Sequence, residues 1–188
     1  ANYMLDVGSG LVALGKLHSS QAETQQAVEA YRTAMNIYRE NGKTEQADDV
    51  RRSVAYAEVE LGYQRSKAND YPGAVEAYRS ALDNRDRESD RENWLFALGE
   101  LAIARHNLGA TEEGVDTLRE AADTYSRALA ATPDDKPDDR AKRQDNLIKV
   151  LTTISERSRS SAAYVALADA YGAAAAFKDK TRERKGRD

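Results

Sequence analysis

The sequence predicts an all-α chain built from stacked antiparallel helical hairpins, an α-solenoid of about eight helices. Three observations carry this. Only 7% of the 188 residues are aromatic while 32% are charged, a balance typical of long solvated helices rather than of sheets. The nonamer AVEAYRTAM at 27–35 returns as AVEAYRSAL at 74–82 and, more weakly, as AADTYSRAL at 121–129, each 47 residues after the last. Within each copy the repeated residues, such as Ala74, Tyr78 and Ala81, are spaced four and three apart, which places them on one face of a helix.

The elements follow from local punctuation. The register at 47 also aligns Leu14-Gly15, Leu61-Gly62 and Leu108-Gly109, and a degenerate fourth copy, ADAYGAAAAF, lies at 168–177. A first helix is expected over 3–18 and a second over 21–40, stopped by Asn41-Gly42. Thr44 is expected to cap a third over 44–67. Asn69-Asp70 followed by Pro72 suits the first turn of a fourth over 72–86. A fifth is expected over 91–107, after which Thr111 with Glu112 and Glu113 reads as the cap and acidic first turn of a sixth over 111–131. The stretch Thr132-Pro133-Asp134-Asp135-Lys136-Pro137 is the clearest loop. Helices over 138–157 and 161–180, the last started by Ser160 or Ser161, complete four hairpins at 3–40, 44–86, 91–131 and 138–180. They are expected to form one repeat domain over 1–180, with a basic tail at 181–188. A lone hairpin cannot cover its own apolar face, so equal hairpins stack, and small-large-small faces suit close helix contacts. Packing is therefore the expected role of Tyr31, Tyr78 and Tyr125.

The segment LGYQRSKANDYPGAVEAYRSAL at 61–82 resembles the tetratricopeptide repeat through Leu61, Gly62, Tyr71, Ala74, Tyr78 and Ala81. Leu14, Gly15, Ala27, Tyr31 and Ala34 match in the first unit, and the likeness covers most of residues 10–131. The family period is about 34 residues, so this is a long-period variant, and Gly109 lies nearer its hairpin turn than Gly62 does. The resemblance implies a right-handed superhelix and a non-enzymatic protein-interaction scaffold, whose concave groove holds a partner peptide or helix. Carried over residue by residue, the groove positions are Tyr56, Val59, Tyr63, Ser66 and Lys67 in the second unit and Val12, Lys16 and Ser19 in the first. Tyr56 and Tyr63 are two turns apart, and Lys67 follows Tyr63 by one. The competing reading is that these rings only close contacts between hairpins. Family members that clamp a chaperone tail carry Asn just after the first-helix Gly; Lys16, Tyr63 and Ala110 stand there, so that ligand is not expected.

Composition and motifs narrow the chemistry. The net charge is −4 and the pI about 5.4, which leaves the whole chain without a footprint for polyanions. The final stretch KDKTRERKGRD carries a local excess of +3, but no ring follows Phe177 on which a base could stack; nucleic acid is not the expected partner. Without Cys there are no disulfides, thiol nucleophiles or thiolate sites. His18 and His106 lie in different units, and Asp134, Asp135, Asp138 and Asp139 lack the pattern of a Ca²⁺ loop; they read as a loop and a helix start. No catalytic motif, metal site or cofactor is expected. No segment reaches membrane-span length and no signal pattern is present. The expectation is a cytoplasmic chain, excised or processed since it starts at Ala1, and part of a larger protein. Trp94 and Phe96 in NWLFALGELAI read as packing between hairpins. The apolar YGAAAAF lacks a polar capping face, so a homo-oligomer through the C-terminal hairpin is a further expectation. A sensor or regulatory module binding a small ligand or nucleic acid is the alternative function.

Overall fold

The computed structural model describes residues 1–6, 9, 10, 13, 20–112 and 115–185, with side chains as far as residue 179. The expected helix over 3–18 falls largely outside these residues, although 2–6, 9, 10 and 13 are helical. Seven long helices follow: α1 (Gln21–Glu40), α2 (Thr44–Lys67), α3 (Tyr71–Asp83), α4 (Arg91–Thr111), α5 (Asp116–Ala131), α6 (Pro137–Ser158) and α7 (Ser161–Lys185). No strand occurs among the described residues. The chain forms two compact units, residues 1–104 and 105–188.

In the first unit the turns are set by short-range chemistry. Ser20 caps α1 by accepting from the Glu23 amide at 3.3 Å. At the other end Gly42 adopts φ +68°, and the amides of Gly42 and Lys43 reach back to the carbonyls of Arg39 and Tyr38 at 3.0 and 2.9 Å. This is the paired bonding that ends helices at a left-handed residue. Asn69 performs the same turn after α2 with φ 60°, its amide and that of Asp70 meeting the carbonyls of Ser66 and Arg65. Asp70 then caps α3 through the Gly73 amide at 3.0 Å. Thr44, expected as a cap, is instead the first residue of α2, and Lys43 in the cap position makes no side-chain bond. Helix α3 stops at Asp83 rather than 86, because the Asp86 carboxylate folds a turn onto the amides of Glu88 and Ser89 at 3.0 and 2.7 Å. Those bonds hold its pKa below the usual carboxylate range.

The repeated faces form the core. Tyr31 and its flanking alanines pack with Val50, Val54 and Ala57 of α2, while Ala74 and Tyr78 pack with Leu101 and Ala104 of α4. A Cβ built at Gly62 would lie 2.7 Å from the Tyr78 ring, whereas one at Gly99 meets nothing within 4 Å. The two glycines make a matched test. Gly99→Ala is expected to raise the unfolding free energy by up to about 1 kcal/mol through helix propensity, and Gly62→Ala to lower it by about 1–2 kcal/mol because overpacking outweighs that gain. Urea titration of both variants checks this; equal shifts would remove the close-approach role of Gly62.

In the second unit, α5 packs on α6 and α6 on α7. Leu118, Tyr125, Ala128, Val150 and Ile154 are among its buried residues. The boundary between α4 and α5 departs from expectation. Helix α4 runs on to Thr111 and α5 starts at Asp116, so Thr111 caps nothing; its hydroxyl donates back to the Leu108 carbonyl at 2.7 Å. The cause is Arg157 of α6. Its guanidinium donates to the carbonyls of Gly109, Ala110 and Glu112 at 2.7–2.9 Å, satisfying acceptors that a helix C-terminus leaves open. Gly109 permits the tight exit, since a Cβ there would lie 2.8 Å from Leu118 Cγ. Pro137 opens α6 with Asp138 and Asp139 in its first turn, as read from sequence, and Ser160 starts α7 by accepting from the Ala163 amide at 3.3 Å. Helix α7 continues to Lys185, so residues 181–185 are helical rather than a separate tail.

Candidate functional site

Three of the expected groove residues share one side of α2. Tyr56 and Tyr63 are 48% and 50% exposed, two turns apart, and the Lys67 ammonium lies 5.5 Å from the centre of the Tyr63 ring. A large ring held in water with a cation on its face is an uncommon resting arrangement for a packing residue. The other two lie beneath them. Val59 packs against the cluster of Ala74, Tyr78, Leu101 and Ala104, and Ser66 is half-buried. Val12, Lys16 and Ser19 lie outside the described residues.

The structure adds residues that the sequence left unread. Phe96, expected to pack, is 55% exposed, and Ile103, on the same side of α4 two turns later, is also exposed. Ile103 stands 47 residues after Tyr56, so the repeat register itself could have marked it. Trp94 is half-buried, with the Arg87 guanidinium 5.2 Å from its ring centre. Between Phe96 and Ile103 lies Glu100, whose carboxylate accepts from the Tyr78 hydroxyl at 3.5 Å. Burial raises the Glu100 pKa, the Tyr78 bond only partly offsetting it. Burial first, then the charges of Glu100 and Glu60, hold the Tyr78 hydroxyl protonated well above the usual phenol range. Glu100 of α4 thus meets the hydroxyl of Tyr78 on α3, whose ring covers Gly62 of α2.

Elsewhere the polar groups serve the fold. Glu58, 1% exposed, accepts from Arg32 at 2.5 Å, Ser80 at 2.7 Å and Asn84 at 3.2 Å. It floors a cleft of ≈ 170 Å³ among α1, α2 and α3, whose walls include Arg32, Arg65, Glu76 and Ser80. With both carboxylate oxygens engaged, Glu58 joins three helices rather than acting as a base. His106 has its pKa lowered by burial and by the cations Lys149 and Arg157, so the imidazole is neutral at pH 7. His18 lies outside the described residues. Among the described residues no three His, Asp or Glu side chains are grouped to hold a metal ion, and no helix is long and apolar enough to cross a membrane.

A second exposed face lies on α7. The tyrosines at the repeated position are 5%, 1% and 2% exposed at Tyr31, Tyr78 and Tyr125, but Tyr171 in the fourth copy is 55% exposed. Tyr164 and Val165, a turn or two earlier, are exposed as well.

Fold and repeat together define a helical-repeat protein with exposed rings on α2, α4 and α7. The chain belongs to the anaphase-promoting complex subunit 5 family, whose model matches residues 3–48 and 61–127. No curated protein matches it. Among solved structures it is similar to the crystal structure of the de novo designed helical repeat protein DHR64, at 12% identity and TM-score 0.45, covering 98% of this chain and 96% of that one. The DHF58 filament is similar at 16% identity and TM-score 0.41, covering 98% and 95%.

Proposed function

We propose that this chain is a non-enzymatic interaction scaffold of the tetratricopeptide type, in which the exposed face of α2 receives a peptide or helix of a protein partner. The observation that carries the reading is the pair of half-exposed tyrosines with Lys67 on one ring. Aromatic anchors of this kind, placed on rigid helices, dominate recognition because little of the receiving surface must be ordered on binding. Membership of a family named for a subunit of a multi-protein complex supports a place in such an assembly. The test is a nuclease-treated pull-down with the intact chain and a Tyr56→Ala/Tyr63→Ala/Lys67→Ala variant. The captured partner should be lost from the variant, with affinity for the purified partner lowered about 100-fold or more, as expected when hot-spot rings are removed. Unchanged capture by a folded variant, or capture abolished by nuclease, would overturn the reading.

The α7 face favours a second reading, self-association through the C-terminal hairpin. Each equivalent tyrosine is covered in the fold, Tyr78 for example by Leu101 and Ala104 of the following hairpin, while Tyr171 is open. Light scattering should show a concentration-dependent dimer of the intact chain that Tyr171→Glu abolishes; a monomer at every concentration would reject it.

A further inference from the structure

The strongest unassigned feature is the cleft of ≈ 170 Å³ among α1, α2 and α3. Helical spacing puts its α2 residues, Glu58, Leu61 and Arg65, on the side of α2 opposite Tyr56, Tyr63 and Lys67, so it is separate from the face read above as an interaction surface. One end is closed, because Arg32, Glu58 and Ser80 bond to one another there at 2.5–3.0 Å. The middle is apolar and formed by Val28, Leu61 and Ala77, all buried. Two turns along α2 from Glu58 stands Arg65, and one turn before Ser80 on α3 stands Glu76; both line the cleft. Arg65 donates to the Gly73 carbonyl at 3.0 Å and lies 3.8 Å from Asp70, which leaves other N–H groups of its planar fork unengaged. Glu76 is exposed and has no partner among the described residues, so the two opposite charges line one cleft without meeting.

We infer that this cleft binds a free α-amino acid with a small apolar side chain, its carboxylate on Arg65, its ammonium on Glu76 and its side chain over Val28, Leu61 and Ala77. Unpaired opposite charges in one cleft are satisfied together by a ligand that carries both complements on one carbon, and the bonds so formed are charge-assisted at both ends. A simple anion would gain from Arg65 but meet the Glu76 carboxylate, and a simple cation would meet the reverse; each like-charge encounter costs affinity. The Arg32 end is the poorer seat for the carboxylate, because Glu58 already draws on that guanidinium. The size agrees with a compact ligand, since ≈ 170 Å³ is below the range of roughly 300–1,000 Å³ typical of drug-sized sites.

An NMR titration of the full chain that follows backbone amide shifts tests this, with L-valine as the probe. L-valine should shift amides of α1, α2 and α3 saturably with a Kd on the order of 1 mM, weak because few atoms are bound. Isovalerate, which lacks the ammonium, and isobutylamine, which lacks the carboxylate, should each bind at least about tenfold more weakly, the size of one charge-assisted bond. Glu76→Gln, at an exposed position, should keep the amide dispersion of the parent, weaken L-valine about tenfold and leave isovalerate no weaker than before. Isovalerate binding as tightly as L-valine, an unchanged L-valine affinity in Glu76→Gln, or no saturable shift in the three helices would overturn the inference. The cleft shares no residue with the face of Tyr56, Tyr63 and Lys67, so that failure would leave the interaction reading standing.

Discussion

Truncating Tyr78 to alanine is expected to lower the unfolding free energy by about 4 kcal/mol, the upper range for a buried aromatic ring. The ring is 1% exposed, fills the space above Gly62 at sub-contact distance from a would-be Cβ, and packs with Leu101 and Ala104. The void can be refilled only in part, because Gly62, Ala74 and Ala104 beside it have no longer side chain to extend into it. Tyr78→Phe keeps the ring and removes only a hydroxyl whose bond to Glu100 is long, 3.5 Å, so it should cost about 1 kcal/mol. Denaturant midpoints at constant slope measure both. Similar losses in the two variants would mean that the hydroxyl network, rather than the ring, holds α2, α3 and α4 together.

Removal of the Arg32 cation has the second large expected effect. Arg32→Met should destabilise the fold by about 2 kcal/mol, below the range for a fully buried pair, because the Arg32 side chain is 48% exposed and solvent screens it. Glu58 would remain with its side chain 2% exposed and its charge supported only by Ser80 and Asn84. The pair as a whole is a different matter. Arg32→Met combined with Glu58→Leu should recover most of the loss, since the cost of desolvating Glu58 offsets much of the pair's attraction. A double-mutant cycle reads the coupling, and strictly additive effects would show that Glu58 and Arg32 act separately. Three helices converge on this carboxylate, so its contribution lies more in fixing which neighbours α2 accepts than in net stability.

Much of the secondary structure was legible because it depends on neighbours in sequence. Helices α1 and α2 begin and end where the punctuation placed them, at 21–40 and 44–67. Asn41-Gly42 and Asn69-Asp70 supply left-handed residues and caps that need no tertiary partner. The burial of Tyr31, Tyr78 and Tyr125 followed from the repeat, since equal faces at equal spacing find equal neighbours. The exposed rings at Tyr56 and Tyr63 were located through the likeness of 61–82 to a repeat family, not through any catalytic pattern.

Other features were decided only by the folded chain, because they depend on residues far apart in sequence. The end of α4 is set by Arg157, some 45–48 residues downstream of the carbonyls it binds; sequence alone put the stop before Thr111. Glu58 reads as a surface acid, and its repeat equivalents are Leu11 and Arg105, so nothing in the pattern announces its burial. Phe96 looked like packing until the core chose Leu95, Ala97 and Leu98 instead. The meeting of Glu100 with the Tyr78 hydroxyl, 22 residues away in sequence, was likewise set by the folded chain. Periodicity determined where helices lie and which face each must bury, since both are local properties of an amphipathic chain. Which charges are enclosed, which rings stay in water and what chemistry the open face offers came from side chains meeting across helices, where burial and long-range hydrogen bonds decide.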